Sequence, residues 1–125
     1  MFKGKPVRVM FADRVKEAIE SLKEVVAEES RNGATKSSNQ ILLRAIRNKV
    51  ELLGANPHYG MHVPQDRIPD EYRLLYDAAN LWKINLSGAW RMLYTIKGGE
   101  IEILALIMDL LSHKSYENKF GYASS

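Results

Sequence analysis

A chain of 125 residues with 46% hydrophobic and 26% charged residues is the size of one domain that can bury a core of its own. It has no cysteine, which excludes a disulfide framework and a thiolate zinc site and points to a reducing compartment, the cytoplasm. A net charge of +3 and a pI near 9.2 admit nucleic acid or an acidic protein as partner but select neither.

The first residues, Met-Phe-Lys-Gly-Lys-Pro, carry no apolar signal region, and apolar runs such as Ile103 to Met108 are too short to cross a bilayer, so no membrane association is expected. Pro6 to Phe11 alternates Val7, Val9 and Phe11 against Arg8 and Met10, which predicts a strand. Asp13 stands where an N-cap belongs. After it Val15, Ala18, Ile19, Leu22, Val25 and Val26 recur at helical spacing, giving an amphipathic helix that ends near Asn32-Gly33. Ser37-x-x-Gln40 reads as a capping box for a second helix, with Ile41, Leu42, Ala45, Ile46, Val50 and Leu53 on its apolar stripe and Gly54 and Pro57 at its end. The two helices predict an antiparallel hairpin laid on the apolar face of a sheet. From Ala55 to Ala79 the chain is broken by Pro57, Gly60, Pro64 and Pro69; one short helix is expected to open at Pro69.

The strongest strand signal follows. Trp82, Ile84 and Leu86 alternate with Lys83 and Asn85, and Trp90, Met92, Tyr94 and Ile96 alternate with Arg91, Leu93 and Thr95. A three-residue loop, Ser87-Gly88-Ala89, sets Leu86 opposite Trp90, Ile84 opposite Met92 and Trp82 opposite Tyr94; a two-residue loop would mix the faces. A tight Gly98-Gly99 hairpin then predicts a third strand from Glu100 to about Met108, with Ile96 facing Ile101, Met92 facing Ala105 and Leu106 beside Arg91. The other face collects Lys83, Asn85, Arg91, Thr95 and Glu102 with Leu93, Leu104, Leu106 and Met108, and is expected to lie open for a ligand or partner. Ser112 to Tyr122 is expected to form a short helical turn and a tail. With no internal repeat or linker, the whole chain is read as one domain, 1–125.

On that face Arg91 offers a rigid fork matched to phosphate or carboxylate oxygens; the structural alternative is a pair with Glu102. His113 leaves the third strand near Arg91 and can exchange protons near neutral pH, whereas a lone histidine more often fills the surface or core. Lys83 could add charge to a phosphorane-like transition state or could be a solvated lysine. Tyr116 could stack on a base or orient the phosphate, or simply anchor the tail. Arg44, Arg47 and Lys49 on the second helix read as a solvated face that can equally dock RNA. His58 and His62 have the spacing of a helical metal pair, but Pro57 and Gly60 oppose a helix there, and neither metal nor cofactor is expected.

The order strand, two helices, three-stranded meander, with Leu-Trp-Lys-Ile-Asn-Leu, then Trp-Arg-Met-Leu-Tyr-Thr-Ile and a closing Ser-His-Lys-Ser-Tyr, resembles the RelE/ParE superfamily of toxins from type II toxin-antitoxin systems. The resemblance spans most of the chain and is sharpest at x-Trp-Arg-x-x-Tyr and His-x-x-Tyr. It implies an α+β fold of RelE type, with an N-terminal strand and a helix hairpin packed on one face of a mainly antiparallel sheet. For the RelE-like branch it implies metal-independent cleavage of messenger RNA on the ribosome, by attack of the ribose 2′-hydroxyl on the adjacent phosphate, restrained by a cognate antitoxin that covers the site or lies across Leu93, Leu104, Leu106 and Met108. Arg91 then stabilises the phosphate, Lys83 matches a basic residue on the preceding strand, and His113 and Tyr116 match the C-terminal catalytic region. Asn85 stands where some members carry a second basic residue and is placed with the RNA contacts. The same scaffold serves ParE-like inhibitors of DNA gyrase and degenerate partner-binding members, and both stay open as alternatives, as does a homodimer.

Overall fold

The computed structural model describes Phe2 and residues 4–121; Tyr122, where the expected tail ends, lies outside the described residues. The elements follow in the order β1 (Val7–Phe11), α1 (Asp13–Arg31), α2 (Ser38–Ala55), β2 (Met61–His62), α3 (Asp70–Tyr76), β3 (Trp82–Asn85), β4 (Arg91–Gly98), β5 (Ile103–Leu111) and α4 (His113–Phe120). This is an α+β architecture on a mixed five-stranded sheet of order β1-β5-β4-β3-β2, in which β1 runs parallel to β5 and every other pairing is antiparallel. None of the described helices is long and apolar enough to cross a membrane.

The helix hairpin forms for the reasons its sequence suggests. At α2 the Ser37 side chain accepts from the Gln40 backbone N–H at 3.1 Å while the Gln40 side chain accepts from the Ser37 N–H at 3.0 Å, a complete capping box. At α1 the cap differs from expectation: Ala12 holds the N-cap position without a side-chain bond, and Asp13 is the first helical residue. The Ala12 N–H donates to Ile107 O at 2.8 Å, so the chain stays tied to β5 through Ala12 and turns into the helix only after it. Asp13 still favours the helix, through the dipole at its first turn. Leu42, Ile46 and Leu53 of α2 and Val15 of α1 close over Ile84, Met92, Tyr94, Ala105 and Ile107, all buried. Each such side chain contributes about 1.5–3 kcal/mol.

The β3–β4 loop has the expected three residues and register, with Ile84 opposite Met92 and Trp82 opposite Tyr94. The β4–β5 hairpin does not. Its last pair is Gly98–Ile103, so residues 99–102 form a four-residue loop and Ile101 is 83% exposed at its tip. Ala105 consequently pairs with Ile96 rather than Met92, and Leu106 with Thr95 rather than Arg91. The turn is held by Gly99 N–H donating to Glu102 O at 2.9 Å, and a Cβ on Gly99 would stand 2.9 Å from that same oxygen. Because the slip is by an even number of residues, the faces survive it. A bulge between Leu93 and Tyr94 then lets Asp109 and Leu111 join Leu106 and Met108 on the second face, and brings Leu111 opposite Arg91.

That second face is not open, contrary to expectation. Val63, Ile68, Tyr72 and Ala78 from the proline-rich segment and Tyr116 from α4 bury Leu93, Met108 and Leu111 in a second core. Proline and short helical turns let this segment fold back across the sheet, and its residues Met61–His62 add the edge strand β2. An apolar partner segment laid over Leu93 and Met108 is therefore excluded, since both are already fully buried.

One polar group lies inside this layer. Asp109, 6% exposed, accepts from Tyr72 Oη at 2.7 Å and pairs with Arg14 Nη2 at 3.2 Å and Lys119 Nζ at 3.3 Å. Glu71 pairs with Lys119 at 2.7 Å and with Arg14, whose Nε also donates to Met108 O at 2.9 Å. Burial and then the Asp109 charge push the Tyr72 hydroxyl well above its ordinary range. Burial opposes ionisation of Glu71, but Lys119 and Arg14 outweigh it and hold the carboxyl below its usual value. The network joins the start of α1, α3, β5 and the end of α4.

Candidate functional site

The loop before β4 shapes the site. Gly88 and Ala89 both adopt left-handed backbone, with φ of +65° and +62°, a conformation that costs a non-glycine residue about 1 kcal/mol. The Ala89 carbonyl is turned to accept from Arg91 Nη1 at 2.6 Å, and the Trp90 carbonyl accepts from the same nitrogen at 3.3 Å. These bonds fold the guanidinium against its own loop. Arg91 Nε, by contrast, is buried with no hydrogen-bond partner among the described residues. A buried donor without an acceptor costs about 1–3 kcal/mol.

Arg91 and Lys83 lie on the second face, on neighbouring strands, and both meet Tyr116. The Arg91 guanidinium carbon and the Lys83 ammonium each stand 5.3 Å from the centre of its ring. Tyr116 is 5% exposed and stacks on Phe120 at 4.4 Å, so the ring is a fixed platform. Among the described residues neither Lys83 nor Arg91 forms an ion pair. Glu102, the structural partner considered for Arg91, instead meets Arg8 at 3.4 Å at the far end of the sheet. Two half-buried cations that share one ring and form no ion pair among the described residues are a candidate site for an anion.

α4 carries the remaining groups. Ser112 caps it, accepting from the Ser115 N–H at 3.3 Å, so His113 occupies the first helical turn, two residues beyond the Leu111 that pairs with Arg91. The His113 side chain is 56% exposed, and its Nε2 lies 3.0 Å from Glu117 Oε1 one helical turn on. Glu117 was not singled out from the sequence, although i,i+4 spacing from a histidine is a readable signal. Asn85 is exposed and pairs across the strands with Arg91.

The structure thus gathers Lys83, Arg91 and Tyr116 at one place, with Asn85 and the first turn of α4 beside them. The basic residues of α2 divide. Arg44 and Arg47 are exposed on the helical layer, across the sheet from this site, and line grooves between α1 and α2. Lys49 reaches the β3 edge, where its Nζ donates to Tyr59 Oη at 2.9 Å. Among the described residues no three His, Asp or Glu groups are placed to hold a metal ion. His58 stacks on Trp82 at 5.0 Å and His62 meets the same indole edge-on at 5.0 Å, so both histidines fasten the proline-rich segment to β3. No protein-family model matches the chain, and no curated protein or solved structure matches it.

Proposed function

We propose that this chain is a toxin of RelE/ParE type that cleaves messenger RNA on the ribosome, acting in the cytoplasm and held inactive by an antitoxin that covers the site. The observation that carries the reading is the pair of cations, Lys83 and Arg91, that form no ion pair among the described residues and stand over Tyr116 beside the first turn of α4. The sequence resemblance assigns catalytic roles to these positions.

In the proposed reaction the phosphate lies against Arg91 and Lys83. The 2′-oxygen of the preceding ribose attacks phosphorus, the bond to the 5′-oxygen breaks, and the products are a 2′,3′-cyclic phosphate and a 5′-hydroxyl. The proton of the 2′-hydroxyl passes to a base, and the leaving 5′-oxygen takes one up. The resemblance gives this exchange to His113, in the first turn of α4 with its Nε2 3.0 Å from Glu117 Oε1. The two cations offset the charge that gathers on the non-bridging oxygens, a contribution of about 3–4 kcal/mol per well-placed group.

Induction in a host cell with mapping of transcript ends tests this. The parent chain is expected to arrest growth and cut messages; Arg91→Ala and His113→Ala are expected to lower cleavage about a hundredfold or more. If both variants cut messages as well as the parent, the site is assigned wrongly. Arrest with intact transcripts and damaged DNA would replace the nuclease with a gyrase-binding activity.

A further inference from the structure

α4 has eight residues, about two turns, too few for a helix to hold itself in place. Its first turn follows β5 directly and is capped by Ser112, so where the rest of the helix lies depends on what its side chains meet. Tyr116, Lys119 and Phe120 share one face, by their spacing of three and four. Tyr116 and Phe120 pack on the second core, and burial of this kind holds the helix down without giving it a direction.

Lys119 supplies the direction. Its ammonium lies 2.7 Å from Glu71 of α3 and 3.3 Å from Asp109 of β5, and stands 5.5 Å from the centre of the Tyr72 ring. Groups from two other elements thus converge on one nitrogen, on a side chain only 24% exposed. Bonds to a charged group depend on position, so a shift or rotation of α4 that the apolar contacts would tolerate breaks these. Neither acid is stranded without the lysine, because both also pair with Arg14. What Lys119 contributes therefore falls on α4 itself.

Tyr116 stands one turn before Lys119 on the same face, and both the Arg91 guanidinium and the Lys83 ammonium lie 5.3 Å from the centre of its ring. A displacement of α4 moves that ring. The two cations then lose the surface they share.

We propose that Lys119 is a positioning residue of the site: by tying the last turn of α4 to Glu71 and Asp109, it sets the place of the Tyr116 ring and so of Arg91 and Lys83 against the phosphate. This rests on the reading of the site as one for phosphodiester cleavage. Lys119 acts through Tyr116 and not on the RNA.

Cleavage of a message on programmed ribosomes in vitro, with kcat and KM measured separately, tests the assignment. Lys119→Met keeps a stem of similar length and removes the charge, and with Arg14 left on both acids it is expected to fold, which circular dichroism at the assay temperature checks. It is expected to lose about tenfold in kcat with little change in KM, because small misplacements of catalytic groups act on the chemical step. Lys119→Arg, which still brings a cation to both acids, is expected to recover most of that loss. Ser37→Ala, which uncaps α2 on the other side of the sheet, is expected to lower stability without lowering kcat. Hydrogen exchange at residues 113–120 is expected to quicken in Lys119→Met and not in Ser37→Ala. Glu71→Gln, which weakens one of the two ties, is expected to show a smaller loss of the same kind, and it decides alone if Lys119→Met does not fold. The assignment is overturned if the folded variants keep the parent's kcat, or if Ser37→Ala loses as much as Lys119→Met. If instead the parent cuts nothing, or Arg91→Ala cuts as well as the parent, the nuclease reading falls and the assignment with it.

Discussion

Asp109 is a carboxylate almost out of water, and it keeps its place because a hydroxyl, a guanidinium and an ammonium converge on it. Such a group is stable only while its partners remain, and the partners are stranded when it goes. Asp109→Ala is therefore expected to destabilise the fold by about 3 kcal/mol, whereas Tyr72→Phe, which leaves both cations on Asp109, costs about 1 kcal/mol. Urea unfolding midpoints separate the two; equal losses would mean that the cations contribute nothing at Asp109. Lys119 belongs to the same helix as His113 and Tyr116, so the network also fixes how α4 presents them. None of this was legible in the sequence. A lone acid in Leu-Ile-Met-Asp-Leu-Leu announces a burial problem, but its solution lies in Arg14, Glu71 and Tyr72, far off in sequence, and in Lys119. Arg91 and Lys83 were legible because strand alternation alone places them on one face.

At the scale of elements, what could be read was whatever depends on neighbours in sequence. The α2 capping box is an example, and Ser37→Ala is expected to lower stability by about 1 kcal/mol in thermal or urea unfolding. The β3–β4 pairing was legible because aromatic and aliphatic residues leave one register in which they all meet. The β4–β5 register was not, because the apolar residues of β5 alternate regularly enough to tolerate an even slip. Glycine supplies a direct check on the structure's answer. A two-residue Gly98-Gly99 turn would need positive φ at one or both glycines, yet neither has it; Gly98 has open space around it and Gly99 does not. Gly98→Ala is thus expected to be neutral or mildly stabilising, and Gly99→Ala destabilising by about 1–2 kcal/mol. Equal destabilisation by the two would restore the shorter turn.

The molecule as a whole is a sheet with a core on each side, one roofed by the helix hairpin and the other by the proline-rich segment and α4. The first roof follows from amphipathic periodicity. The second could not be read, because a segment with four breakers has no period and buries Val63, Ile68 and Tyr72 one at a time. Closing it brings the acids and bases of four elements together, which gives stability a pH dependence of definite sign. Glu71 has an ordinary value of 4.5 and is held below it in the fold, through Lys119 and Arg14. Between the folded and unfolded values the unfolded chain binds the proton and the native one does not, so stability rises with pH across that window. The contribution is fully present above about pH 5 and is lost as pH falls through the lower, folded value. Glu71 is about one-third exposed, so solvent screens part of this effect. Glu71→Gln is expected to lower stability at neutral pH and to flatten the decline in urea midpoint below about pH 4.5. The positive charge that the whole chain gains in acid destabilises parent and variant alike. Only the difference between their two curves reports on Glu71, and parallel curves would show that the second roof does not depend on its charge.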